Sequence, residues 1–312
     1  MRALLLMSYC RLQSIDDISP FYQHLFHGRI PAPEVMEEAV NRYCNLAKPD
    51  PLGSTTIRQA NALKRRLEQR LGEQVPVYTA HKHTSPFIPE AIEQILNDRV
   101  THLYTLPLSP LYSKTGTGSY QRAADRTAAL AHDQQKADLI ITHIPPWHLH
   151  DRLVAALSTR LNEAMAWISA NNRSRTVVIF TAHSKPGLPA PHQDYITAFG
   201  ELAQAVARKA GCSQWKLAYR SGGPAPQKWL GPDVLEVMES AAREGAAAIV
   251  ICDLLSMTEN IETLQDCRFD GLAKARELGL EFTTTEFLND ADDFMTALEE
   301  IVLAEMQREA LP

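Results

Sequence analysis

Short apolar runs alternate with longer amphipathic ones from end to end of the chain. Runs at residues 3–9, 75–81, 101–108, 138–144, 176–183, 215–220, 247–255 and 281–287 predict eight strands. Several are hydrophobic almost without interruption, as in parallel sheets covered on both faces. Helical spacing predicts helices over 54–71, 89–98, 119–131, 148–169, 196–209, 233–244, 259–279 and 290–307, the last with an acidic first turn that suits a helix N-terminus. The alternation predicts an α/β fold of two similar doubly wound, Rossmann-like domains, each a four-stranded parallel sheet flanked by helices. The long 148–169 segment and the polar Asn171-Asn172-Arg173-Ser174-Arg175 after it mark the joint. Domains are therefore expected at 1–148 and 149–312, with the packing of the 290–307 helix left open.

Composition narrows the class. The 312 residues are 45% apolar and 22% charged, as in a soluble globular protein large enough for two domains. A formal net charge of -6 without a dominant basic patch argues against a nucleic-acid partner. The apolar run at the start reads as a buried first strand rather than a secretory signal, and no window approaches the length of a membrane span. Cys10, Cys44, Cys212, Cys252 and Cys267 are scattered and form no CxxC pair. The expectation is a cytoplasmic protein without disulfides, without an iron–sulfur cluster and without a prosthetic group.

Irregular Pro- and Gly-rich stretches at 107–118 and 221–232 each follow a strand, which is where an open α/β sheet places its ligand. His183 closes the 176–183 strand; it is either a structural histidine or a working base or metal ligand. His81 and His83 flank Lys82 at another strand end and, in an extended chain, would point to one face and share a metal; a solvated strand end is the plainer reading. The 107–120 segment has a Gly-Thr-Gly before a helix but lacks the Walker and full dinucleotide spacings, and its tyrosines and hydroxyls suit a flat aromatic ligand with polar edges. No nucleophile elbow, kinase signature or HExxH helix is present. Glu262, Asp266 and Asp270, four residues apart, predict a stack of carboxylates on one helical face. Such a ladder is an ordinary solvated face unless a cation uses it, and a metal ion handed inward would be such a cation.

Phe180-Thr181-Ala182-His183-Ser184, the 106–120 segment Leu-Pro-Leu-Ser-Pro-Leu-Tyr-Ser-Lys-Thr-Gly-Thr-Gly-Ser-Tyr, Lys228-Trp229-Leu230-Gly231-Pro232-Asp233-Val234 and Asn260-Ile261-Glu262-Thr263-Leu264 together resemble the ferrochelatases over nearly the whole chain. The order of Tyr9, Gly28-Arg29, Arg42-Tyr43, Lys82-His83 and Pro86-Phe87 resembles the compact bacterial type that metallates coproporphyrin III. The resemblance implies a chelatase-like fold and a lyase of heme biosynthesis that inserts Fe(II), as substrate, into a porphyrin held in a cleft. It implies His183 at the metal and pyrrole face, Glu262 opposite it, and Asp266 and Asp270 as an acidic path for the metal. It places Tyr9, Arg29, Lys82, His83, Tyr112, Ser113 and Tyr120 along the porphyrin. A monomer is compatible with it.

Departures from the family pattern accompany the resemblance. Asn260 stands where a histidine is usual two residues before the glutamate, Leu255 and Ser256 where an aromatic and a glycine are common, and Phe26 and His27 where arginines usually meet propionates. Three alternatives follow: a protoporphyrin IX ferrochelatase, a degenerate paralogue that binds tetrapyrrole or metal without turnover, and a chelatase for another macrocycle such as sirohydrochlorin.

Overall fold

Eight strands form two four-stranded, all-parallel sheets in the computed structural model of the chain, which describes residues 1–45, 50–133, 138–223 and 226–308. Residues 224 and 225 of the expected 221–232 loop lie outside the described residues.

The first unit begins with β1 (Arg2–Ser8), whose residues from Ala3 to Met7 are fully buried. It continues through α1 (Ile18–Leu25), α2 (Pro33–Asn45), α3 (Pro51–Leu71), β2 (Val77–His81), α4 (Ile88–Asn97), β3 (His102–Pro107), α5 (Thr117–Asp133) and β4 (Ile140–His143). Strand order is β2-β1-β3-β4. Leu5, Met7, Ala80, Ile92 and Leu103 pack with Tyr120 and Ala124 in one core cluster. Helix α3 shows how local chemistry sets an element: the Asp50 carboxylate accepts from Leu52 N–H, Pro51 occupies the first turn, and Gly72 at φ 69° closes the helix in the left-handed region.

The second unit comprises α6 (Asp151–Trp167), β5 (Thr176–His183), α7 (Gln193–Ala210), β6 (Trp215–Arg220), α8 (Val234–Arg243), β7 (Ala248–Asp253), α9 (Ile261–Thr263), a π-helix (Leu264–Asp270), α10 (Gly271–Leu278) and β8 (Glu281–Thr284). Its strand order, β6-β5-β7-β8, matches that of the first. Order reverses at β5, which pairs with β6 on one side and β7 on the other, so a crevice opens beyond the carboxyl ends of these strands. The helix expected over 259–279 is thus not one α-helix. Its middle turns are π, with wider i to i+5 repeats. Gly271 follows directly, and a Cβ there would stand 2.9 Å from Phe282 Cζ and 3.1 Å from Ile251 Cδ1, so α10 approaches the sheet too closely for a side chain.

The last helix, α11 (Asp292–Arg308), corrects the expected division at 149–312. The chain from Asn289 belongs with the first unit, which holds residues 1–110 and 114–147; the second holds 111–113 and 148–288. The reason is burial of an apolar face: Phe294, Met295, Leu298, Val302 and Met306 are all buried, and Phe294 meets Trp147 at 6.1 Å between ring centroids. Charges then fix the register against α3. Arg58 holds both Asp290 oxygens at 2.8 and 3.0 Å, and Arg66 reaches Glu299 at 3.0 Å. No described helix is long and apolar enough to cross a membrane.

Candidate active site

In the second unit three strand ends converge. His183 ends β5, Arg220 ends β6 in register beside it, and Asp253 ends β7 beside Thr181. His183 Nδ1 lies 2.6 Å from the Ser184 carbonyl oxygen, which only accepts, so this nitrogen carries the hydrogen. The other ring nitrogen, Nε2, lies 3.4 Å from Glu262 Oε1. Tyr195, fully buried, donates its hydroxyl to the His183 carbonyl at 2.8 Å and fixes the backbone beneath the ring.

Glu262 sits in α9, whose start is capped by Asn260: its side-chain oxygen accepts from Thr263 N–H at 3.0 Å. Asn260 thus serves the helix end rather than the reacting face. The second Glu262 oxygen accepts from Arg220 Nη1 at 3.3 Å. Arg220 is 1% exposed. Burial alone would favour loss of its proton, but Asp253 at 2.7 Å more than offsets this and its proton is held more firmly than usual.

The remaining carboxylates of the ladder separate. Asp266 accepts from the Ser221 hydroxyl, and Asp270 accepts from Gln265 Nε2 at 2.8 Å, a contact one π-turn long. Among the described residues no group of three or more His, Cys, Asp or Glu side chains is gathered to hold a metal ion. The expected set of His183, Glu262, Asp266 and Asp270 is therefore not a preformed ligand cage; His183 and Glu262 adjoin, while the two aspartates occupy the π-helix behind them.

In the first unit, Tyr9, Phe21 and His83 pack edge to face, with ring centroids 4.8 to 6.0 Å apart. His83 Nδ1 meets His24 Nδ1 at 3.0 Å, and the His24 ring lies against Phe87 at 4.9 Å. Burial, then the charges of Lys82 and His24, push the His83 pKa down to about 3, so its ring is neutral near pH 7. Half-buried Lys82 donates to the Thr115 carbonyl at 2.8 Å; burial and then Arg122 lower its pKa. Arg29 is exposed beyond α1; of the second unit's residues 111–113, Tyr112 is half-buried and Ser113 is buried.

Two expectations change here. His81 and His83 do not share a face, because β2 ends at His81 and the chain bends at Lys82. His81 Nδ1 instead bonds Ser8 Oγ at 2.7 Å in full burial, while His83 turns to His24. Tyr120 belongs to the core: it lies in the first turn of α5 facing the sheet, 7% exposed, with Lys82 Nζ 6.0 Å above its ring. Burial raises its hydroxyl pKa. Arg220, Asp253 and His24 were not among the expected site residues. The strand-end rule that singled out His183 applies equally to Arg220 and Asp253, whereas nothing in the sequence pairs His24 with His83.

Compared with known proteins, the ferrochelatase family profile matches residues 1–306. The ferrochelatase of Herpetosiphon aurantiacus is 31% identical over 306 residues, covering 96% of this chain and 97% of that protein. Coproporphyrin III ferrochelatase 1 of Bacillus anthracis is 28% identical over 303 residues, covering 96% of each. Among solved structures, SirB from Bacillus subtilis with Fe3+ aligns at a TM-score of 0.60 and 12% identity over 97% of this chain and 95% of that one, a likeness of fold.

Proposed function

We propose that this chain, which belongs to the ferrochelatase family, inserts Fe(II) into a porphyrin in the cytoplasm as a step of heme biosynthesis, with coproporphyrin III as the preferred macrocycle. The observation that carries this reading is His183 Nε2 held 3.4 Å from a Glu262 carboxylate oxygen at the carboxyl end of β5.

The chemistry that this pair supports is deprotonation coupled to metal transfer. A porphyrin must lose two pyrrole N–H protons as the ferrous ion forms bonds to the four ring nitrogens, and the ion must shed its waters. His183 Nε2 accepts one proton, giving an imidazolium beside the Glu262 carboxylate that stabilises it. Glu262 replaces a departing water on the ion as an oxygen ligand and, once the ion has passed to the ring nitrogens, takes the second proton. Fe(II) and the porphyrin are both substrates, and no prosthetic group takes part. In this reading Asp266 and Asp270 pass the ion toward Glu262, while Tyr9, Arg29, Lys82, His83, Tyr112 and Ser113 serve the macrocycle.

Preference for coproporphyrin III over protoporphyrin IX draws on the Bacillus relatives that carry that substrate in their names. The retained His183–Glu262 pair favours turnover over a degenerate binding role, and the use of Asn260 as a helix cap removes one motive for the latter. An anaerobic insertion assay crossing both porphyrins with Fe(II), Co(II) and Zn(II) tests the reading. Fastest insertion of Fe(II) into coproporphyrin III is expected. Tight porphyrin binding with no insertion of any metal would overturn it.

A further inference from the structure

Among the described residues Arg220 is the largest fully buried side chain, and a guanidinium in that position is costly unless every edge is paired. Its Nε bonds Asp253 Oδ2 at 2.7 Å, its Nη2 bonds Ser256 Oγ at 2.8 Å, and its Nη1 is shared between Ser221 Oγ at 3.1 Å and Glu262 Oε2 at 3.3 Å.

Asp253 is itself anchored. Its side chain is 5% exposed; Oδ1 accepts from Leu255 and Ser256 N–H at 3.1 and 2.6 Å, and Oδ2 also accepts from Thr181 Oγ1 at 3.0 Å. Two β-strand ends therefore hold the arginine fork rigidly, with one edge aimed outward. The groups on that edge are the two that the proposed chemistry needs to hold still. Glu262 is 41% exposed, and a rigid partner on one oxygen narrows the rotamers open to it. Ser221, whose backbone takes the rare φ of 58°, accepts from Arg220 and donates to Asp266, so the same cation reaches the next carboxylate through one hydroxyl.

We propose that Arg220, locked by Asp253, is a positioning residue: it grips one Glu262 oxygen so that the other faces His183 Nε2, and through Ser221 it orients Asp266. This rests on the reading of His183 and Glu262 as the reacting pair. Ser256, which departs from the family pattern, has a use here, because its hydroxyl receives one arm of the fork. A lysine cannot substitute, since one ammonium cannot span Asp253, Ser256 and Glu262 as a planar fork does.

The test uses Arg220→Gln/Asp253→Asn in the full chain, because removing one partner leaves a buried unpaired charge and endangers folding, while removing both does not. A crystal structure of this double variant is expected to show Glu262 Oε1 displaced from the 3.4 Å contact with His183. Insertion kinetics should show kcat reduced on the order of 10- to 100-fold, with the porphyrin KM unchanged and Tm close to the parent. In a Glu262→Gln background the double change should add no further loss. An undisplaced Glu262, an unchanged kcat, or the same loss in the Glu262→Gln background would overturn the inference. Should the parent chain insert no metal, the functional reading fails, and the crystal structure still decides whether Arg220 positions Glu262.

Discussion

Glu262 is divided between two partners: one oxygen stands 3.4 Å from His183 Nε2 while the other accepts from Arg220 at 3.3 Å. A carboxylate held in this way has one oxygen fixed by the arginine and the other set against the histidine, which suits a group that must receive a proton or an ion at a defined place. The arrangement spans residues 183, 220 and 262, brought together by the ends of β5 and β6 and the start of α9.

His183→Ala and Glu262→Gln are each expected to lower metal insertion on the order of 10²- to 10⁴-fold. Combined, they should lose about as much as one alone, because the pair acts as a unit. kcat/KM for the parent, both single variants and the double variant measures this. Losses that multiply would mean that the two act separately.

Asp266→Asn together with Asp270→Asn should raise the metal KM about tenfold and leave porphyrin affinity intact. Porphyrin titration by absorbance, alongside kinetics at varied metal concentration, separates the two effects. A fall in porphyrin affinity would show that these carboxylates serve something other than metal delivery.

Stability should decline on mild acidification because of two buried imidazoles. Burial, then Arg11, lowers the His81 pKa to about 4, and His83 is pushed down to about 3. Both lie below the ordinary 6.5, so the unfolded chain takes up protons first as pH falls. Their contribution is complete above pH 6.5 and is lost between 6.5 and about 4 for His81, continuing to about 3 for His83, at about 1.4 kcal/mol per pH unit for each. Urea denaturation at a series of pH values checks the slope. His83→Phe, which keeps a ring beside Tyr9 and Phe21, should flatten it; an unaltered acid limb would contradict the assignment.

The final helix should be essential to the first unit. Phe294→Ala removes a fully buried ring beside Trp147 and is expected to cost about 3–5 kcal/mol. Arg66→Ala should cost less, since one of its two carboxylate partners, Asp292, is exposed. Thermal melts of the two variants test the ranking, and equal shifts would indicate that charge rather than packing docks α11.

The alternation of apolar strands with amphipathic helices carried the fold, because a strand covered on both faces has to be hydrophobic along its length and a helix between parallel strands has to bury one stripe. All eight strands form where that pattern lies, and β5 and β6 coincide with it to the residue. Strand-end position likewise marked His183. What sequence could not supply were relations set by three-dimensional approach. Helix α1 spans only eight residues, and nothing local to it pairs His24 with His83, 59 positions away. The 259–279 segment has ordinary α spacing, yet its Leu264–Asp270 turns are π, and Asp266 and Asp270 accept from different partners, Ser221 and Gln265. The terminal helix returns to the first unit because its apolar face finds Trp147 and its charges find the α3 arginines, contacts more than 140 positions away along the chain that no local pattern encodes. The sequence alone thus determined the two parallel sheets, the family resemblance and the histidine and glutamate of the candidate site. Only the tertiary structure decided that a buried Arg220–Asp253 pair stands behind that glutamate, since desolvated charges reveal their partners only when the chain has closed around them.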